Sequence, residues 1–333
     1  MKNTKNIQKS IIKSDLAIEA AEIANESIDE NSHLEGITIT EKEGSDFLLT
    51  HVRVENKTGS IAVGKPIGTY ITIESPFLKD NDLEHQEKMI GILASELQAL
   101  SKVKENDKVL VVGLGNWNIT PDALGPQVIS KVFVTRHLEG CLPEEVEGKL
   151  CSVAAMSTGV MGITGIESGE IIKGLVERIH PSFVIAVDAL AARRASRINA
   201  TIQMSDTGVA PGAGVGNPRM VLNEESLGVP VIAIGVPTVV DAATLVNDTM
   251  SKILEEMIAQ TDEGSEFYQT LINLEEVERY QMISELLDPY TENMFVTPKE
   301  VDSVIERLSY IIANGINIGL HKGITMEDIG RLS

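Results

Sequence analysis

Two aspartates stand where a parallel α/β sheet would place its chemistry. Asp122 lies in GLGNWNITPDALGP (Gly113 to Pro126), just after the apolar run KVLVVGLG (Lys108 to Gly115). Asp188 lies in FVIAVDALA (Phe183 to Ala191), preceded by five apolar residues. Both runs read as buried strands, and open parallel sheets carry their functional groups beyond the carboxyl ends of the strands. If the two strands are neighbours, both acids face one crevice. Two nearby carboxylates share one proton, because like charges at close range cannot both ionise cheaply. The ionised member can take a proton from water while the protonated member polarises a carbonyl. That is acid–base hydrolysis without a covalent intermediate. A lone aspartate at either place would be read as a cap: Asp122 as an N-cap after a turn, Asp188 as the cap of a helix. Two acids at one edge, with no competing base, nucleophile or metal cluster nearby, favour the catalytic pair.

Other polar residues are weighed around that pair. Asn116, Asn118 and Thr120 either supply donors that fix the Asp122 carboxylate or simply form the turn. Glu167 and Asp206 lie in glycine-rich loops and are secondary candidates for lining the same crevice. Arg193, Arg194 and Arg197 cluster after Asp188. They either receive acidic side chains of a substrate or pair with nearby Glu and Asp at the surface, the second reading carrying more weight. PGAGVGNP (Pro211 to Pro218) either cradles an anion or serves as a flexible substrate or assembly loop.

Several familiar signatures fail. GLGNWN begins like a dinucleotide fingerprint, but Asn118 occupies the place of the third glycine that lets helix and strand pack closely. No GxxxxGK[ST], HExxH or GxSxG occurs. His33, His51, His85, His137, His180 and His321 are scattered, and Cys141 and Cys151 form no CxxC pair. Neither a metal site, a cofactor nor a disulfide framework is expected, and a reducing, cytoplasmic setting fits.

The elements that must position the acids follow from periodicity. GITITEK, FLLTHVRV and GTYITIE, between Gly36 and Glu74, alternate apolar and polar residues and predict a small antiparallel sheet with one wet face. Helical spacing predicts a helix from Leu16 to about Ser27, capped by Ser14 or Asp15, and another over His85 to Val103. Strand KVLVVGLG comes next, then a helix from about Asp122–Leu124 toward His137, a strand over Cys151 to Met156, and a helix over Ser168 to His180. FVIAVDALA and VPVIAIGVP (Val229 to Pro237) complete an alternation of apolar strands and helices. The fold class is therefore α/β, a mostly parallel central sheet flanked by helices, with the small antiparallel sheet at its N-terminal side. Thr297-Pro298-Lys299-Glu300 predicts a capping box opening a helix that Asn314-Gly315 stops near Ala313. Residues 258–290 are acidic and weakly periodic, as in a surface excursion.

Composition sets outer limits. The 333 residues are 43% hydrophobic but only 4% aromatic, so a sizeable core must be aliphatic. A formal charge of −21 argues against nucleic acid or an anionic membrane as partner. No apolar stretch is long enough to span a bilayer, and the basic N-terminus lacks the apolar segment of a secretory signal.

The strings VVGLGNWNITPDALGP, TGVMGITGIESGEIIKGL, IAVDALAARRASRINATIQMSDTGVAPGAGVGNPR, LGVPVIAIGVPTVVDA and MFVTPKEVD together resemble the germination protease (spore protease) family, from about Ser14 to about Gly319. The resemblance implies an atypical aspartic endopeptidase that degrades small acid-soluble spore proteins at germination, in the forespore or spore core. It implies an α/β fold similar to the hydrogenase-maturation endopeptidases and the phosphorylase-like hydrolases, and a homotetramer. The family's catalytic aspartates fall on TPDALGP and DALAAR, here Asp122 and Asp188. It further implies a zymogen that removes its own N-terminal segment. Family substrates are cut after an acid and before an apolar residue followed by alanine and a further acid. Ser14-Asp15-Leu16-Ala17-Ile18-Glu19 fits that pattern, with the cut between Asp15 and Leu16. The chain then divides into a propeptide (1–15), an N-terminal helix and small sheet (16–80), and an α/β catalytic region (81–333) forming one unit with it. Three rivals remain: a metal-dependent maturation-type endopeptidase of the same fold, a phosphorylase-like enzyme using Arg219 beside the glycine-rich loop, and a non-enzymatic assembly module.

Overall fold

In the computed structural model, the alternation of strands and helices resolves into one mixed sheet. Residues 14–26, 34–104, 107–141, 149–213, 219–261 and 294–332 are described, with residues 265, 282–283 and 285–286. Lys2, Lys5, Lys9 and Lys13 of the N-terminal arm, residues 214–218 of the glycine-rich loop and most of 258–290 lie outside the described residues.

Among the described residues, nine strands form the sheet: β1 (Ile37–Glu43), β2 (Leu48–Val54), β3 (Gly68–Glu74), β4 (Lys108–Gly113), β5 (Ser152–Ser157), β6 (Phe183–Ala192), β7 (Thr201–Ser205), β8 (Val231–Asp241) and β9 (Phe295–Val296). Their order is β1-β2-β3-β7-β8-β6-β4-β5, with β9 on β8. Pairs β8–β6, β6–β4 and β4–β5 are parallel. Pairs β1–β2, β2–β3, β3–β7 and β7–β8 are antiparallel. The expected α/β sheet is present, and the N-terminal antiparallel strands continue into it through β7. TIQMS of β7 alternates polar and apolar residues, yet its polar side chains Thr201, Gln203 and Ser205 are buried along with the apolar ones.

The continuous apolar runs of β4 and β6 have a packing cause. Val109, Val111, Phe183, Ile185 and Val187 face one core, while Leu110, Val112, Val184 and Ala186 face another. The first core is closed by helices α3 (Leu83–Ser101) and α7 (Val301–Leu320), and the second by α5 (Ser168–Ile179). Both strand faces are dry, so neither can carry the polar half of an alternating pattern. The remaining labelled helices are α1 (Ala17–Glu26), α2 (Lys57–Val63), α4 (Leu124–Ile129) and α6 (Ala242–Ala259).

Three local expectations are corrected. The helix after Asp122 is a single 3₁₀ turn (Thr120–Asp122) followed by α4, which ends at Ile129 rather than near His137. Thr297 does not cap α7: its hydroxyl donates to the Thr238 carbonyl, and Glu300 is the N-cap without a side-chain bond. Asn314-Gly315 does not stop α7, which runs on to Leu320. There the Asn314 amide donates to the Tyr310 carbonyl 3.0 Å away. Gly315 is needed for packing, since a Cβ on it would stand 2.2 Å from Leu93 Cδ2 of α3.

Candidate active site

The Asp122 loop is built by its own backbone. The Leu114 N–H donates to the Val187 carbonyl at 2.8 Å, extending the β4–β6 pairing by one residue. Gly115 then turns the chain with φ +108°, and a Cβ there would meet the Asp122 carbonyl oxygen at 2.0 Å. This left-handed, crowded position suits only glycine. Beyond it, the Asn116 N–H donates to Asp122 twice, to the carbonyl at 3.1 Å and to Oδ2 at 2.8 Å. Asn116 therefore fixes the carboxylate through its main chain. Its side-chain oxygen instead accepts from the Asn118 N–H at 3.0 Å, and the Thr120 carbonyl accepts from the Ala123 N–H. Of the two roles weighed for these three residues, turn formation is what their side chains and carbonyls display.

Asp188 sits on β6, 7% exposed, with Oδ1 accepting the Ala189 N–H at 2.9 Å. Across the sheet, Asp188 is in register with Gly235 of β8, and Gly235 with Gln203 of β7. Residues in register project to the same face, so Asp188 and Gln203 lean over a common floor whose middle position has no side chain. A cavity of about 280 Å³ opens there, lined among others by Asp15, Lys65, Asp188, Gln203 and Gly235. Burial pushes the Asp188 carboxyl well above the usual carboxylate range, and the charges of Asp122 and Asp15 push it further. The Ala189 N–H and Arg219 oppose that rise. Burial also raises Asp122, against the Asn116 N–H and Arg219. The charge of Asp122 thus reaches Asp188, while Asp122 itself is shifted by its burial, the Asn116 N–H and Arg219.

The Asp15–Leu16 segment lies against the end of β6. The Asp15 N–H donates to the Ala191 carbonyl at 3.1 Å, and the Ala191 N–H donates to Asp15 Oδ2 at 2.9 Å. Asp15 is thereby engaged with β6, while the Ser14 hydroxyl accepts the Leu16 N–H at 3.1 Å at the entry to α1. The first N–H of that helix, on Ala17, is met instead by Gln203 Oε1 at 2.6 Å. Leu16 is fully buried among Leu190, Ala192, Ile198 and Val240. Glu19 is also fully buried, and its carboxylate accepts the N–H groups of Arg193 (2.7 Å) and Arg194 (2.9 Å) and the Ser14 hydroxyl.

The remaining candidates are placed apart from this cavity. Glu167 Oε1 accepts the Met220 N–H at 2.6 Å, and Asp206 Oδ1 accepts the Thr69 N–H at 2.7 Å. Neither lines the cavity that holds Asp188, and Asp122 is not among its lining residues either, so the cavity itself takes in one of the two acids. Arg197 is buried and bonded to Glu22 and Glu74, each at 2.7 Å, so its ion pairs are interior rather than superficial. Lys65 and Gln203 were not singled out by sequence reasoning, and Arg219 only as a phosphate ligand. No local motif marks them: Lys65 and Gln203 reach the cavity from a loop and a separate strand, and Arg219 acts on both acids through its charge. Among the described residues, no group of three or more His, Cys, Asp or Glu could hold a metal ion. No helix among them is long and apolar enough to cross a membrane.

Comparison with known proteins gives the class. The family profile described as germination protease matches residues 17–273 and 252–333. The germination protease of Clostridium perfringens strain ATCC 13124 is 50% identical, over 96% of this chain and 98% of the relative. That of Caldanaerobacter subterraneus subsp. tengcongensis is 47% identical over the same shares. That of Bacillus cytotoxicus is 42% identical over 99% of each chain. A mixed α/β sheet with such relatives defines a peptidase. The chain belongs to the germination protease family.

Proposed function

We propose that the protein is an aspartic-type endopeptidase that starts the degradation of small acid-soluble spore proteins during germination, using Asp122 and Asp188 to activate water. The observation carrying this reading is the pair itself: Asp188 on β6 and Asp122 in the loop beyond the adjacent parallel strand β4, each raised by burial, with Asp188 raised further by Asp122. In this mechanism Asp188 holds the shared proton, polarises the carbonyl of the scissile peptide by hydrogen bonding, and later gives that proton to the leaving nitrogen. Asp122, ionised, takes a proton from the attacking water. The enzyme is made as a zymogen and cuts its own Asp15–Leu16 bond. Support for that comes from Asp15 lining the same cavity as Asp188 and from the buried seat of Leu16. A tethered bond beside the catalytic pair reacts as if at very high local concentration. The working form is a homotetramer of the spore interior, needs no metal or cofactor, and has neither nucleic acid nor membrane as partner.

The test is incubation with a small acid-soluble spore protein. Asp122→Asn and Asp188→Asn should each lose about 10²–10⁴-fold in kcat while remaining folded. Because acids acting as a unit lose non-additively, the double variant should be little worse than either single one. Near-normal turnover by one single variant removes that residue from the pair, and loss of wild-type activity with a chelator points to the metal-dependent alternative.

A further inference from the structure

The carbonyl oxygen of Asp15, the acyl side of the Asp15–Leu16 bond, is met by two side-chain donors. Lys65 Nζ donates to it at 2.9 Å and also to the Ser14 carbonyl at 3.3 Å. Gln203 Nε2 donates to it at 3.3 Å. The other end of the same amide, Oε1, accepts the Ala17 N–H at 2.6 Å, so Gln203 spans the bond and fixes the chain on both sides of it. Gln203 is buried in β7, in register with Gly235 and, one strand further, with Asp188. Two inter-strand steps put the Cα atoms of Gln203 and Asp188 roughly 10 Å apart, which lets their side chains converge on one peptide. Lys65 follows the left-handed C-cap Gly64 of α2 and lines the same cavity.

A surface lysine that merely tethered an arm would have no reason to share its acceptor with a buried amide. Two donors on one carbonyl oxygen are the arrangement that stabilises charge developing on that oxygen. Burial pushes the Lys65 ammonium below its usual value, with Asp15 and Glu19 pulling the other way. In such a site a cation aimed at an oxyanion acts far more strongly than in water.

We propose that Lys65 and Gln203 are catalytic residues, forming the oxyanion hole for hydrolysis of the Asp15–Leu16 bond. This rests on the self-cleavage reading above. As water attacks, its oxygen bonds to the Asp15 carbonyl carbon and one of its protons passes to the ionised carboxylate of the pair. The carbonyl π electrons move onto the oxygen, where the Lys65 and Gln203 N–H groups receive the negative charge. When the oxyanion re-forms the carbonyl, the C–N bond breaks and the Leu16 nitrogen takes a proton from the protonated carboxyl. The products are a new carboxyl group on Asp15 and a free amine on Leu16.

The experiment follows conversion of the full-length chain by intact mass, with thermal unfolding as a check on folding. Lys65→Met and Gln203→Glu, which keeps the Ala17 acceptor but removes the donor, should each slow the cut by about 10²–10³-fold without moving it. Lys65→Arg, which keeps a cation, should recover most of the rate. Gln203→Glu carries the test if Lys65→Met does not fold. Wild-type rates in both Lys65→Met and Gln203→Glu, with Asp188→Asn uncut, overturn the oxyanion hole and leave self-cleavage standing. A wild-type chain that is not cut at Asp15–Leu16, or an Asp188→Asn chain cut at the normal rate, brings down the self-cleavage reading and the hole with it.

Discussion

Asp188 shows how one buried side chain couples chemistry to stability. Its carboxyl is raised by burial first, then by Asp122 and Asp15. An acid whose folded value lies above its unfolded value favours folding while protonated, and that contribution is lost as pH rises through the folded value. Asp188→Asn removes the ionisation without changing the shape. The variant should therefore melt above the wild type at neutral pH, by roughly 2 °C for each kcal/mol released. The gap should close below about pH 4, where the unfolded acid is protonated too. Thermal unfolding across that range checks it, and a gap that does not change with pH means that Asp188 titrates in the native protein as it does in the unfolded chain.

Among the elements, the turn between β4 and α4 carries the largest functional consequence. It must bring Asp122 back toward Gly115, and Gly115 at φ +108° leaves no room for a side chain beside the Asp122 carbonyl. Gly115→Ala should cost about 1–3 kcal/mol in backbone strain. It should also displace the carboxylate, and misplacement by about 1 Å is enough to cost roughly 10²-fold in rate. Urea unfolding and turnover measured on the same preparation separate the two effects. A variant that loses stability but keeps full kcat means that the turn tolerates the shift and Asp122 does not need its present position.

At the scale of the whole molecule, the antiparallel and parallel parts of the sheet are bound by charge as well as by backbone. Arg197, just after β6, bonds to Glu22 of α1 and Glu74 of β3, with Glu19 at 3.5 Å. The hydrogen bonds of Glu22 and Glu74 outweigh the burial that would neutralise the guanidinium, and Arg197 in turn holds Glu22 below the usual carboxylate range. Removing one partner of a buried pair leaves the other charges uncompensated. Arg197→Met should accordingly destabilise the chain by about 3–5 kcal/mol in denaturant unfolding. It should also loosen the seat of α1, because Glu19 and Glu22 both belong to that helix. A loss within about 0.5 kcal/mol means that the cluster is solvated enough to dispense with its cation.

The sequence by itself determined most of the strands and helices and singled out the two acids as candidates. The stretches VLVVG and FVIAV are apolar on every residue because both faces of β4 and β6 are covered, and that burial is written locally. An acid at the end of such a run is conspicuous for the same reason. Ser14 to Glu19 was legible as a cleavage pattern by resemblance, although not its seat on β6. Tertiary structure alone decided what meets the acids. Asp188, Gly235 and Gln203 line up only because β7 and β6 flank β8 in one register, a fact spread over three segments. Lys65 arrives from the loop after α2, more than a hundred residues before Gln203 in the chain, and nothing in its neighbours marks it. Asn314-Gly315 reads as a helix stop, yet contact with Leu93 keeps the helix going. Periodicity and turn residues report local conformation, whereas strand order, register and helix contacts are settled by which apolar faces bury one another across the whole chain.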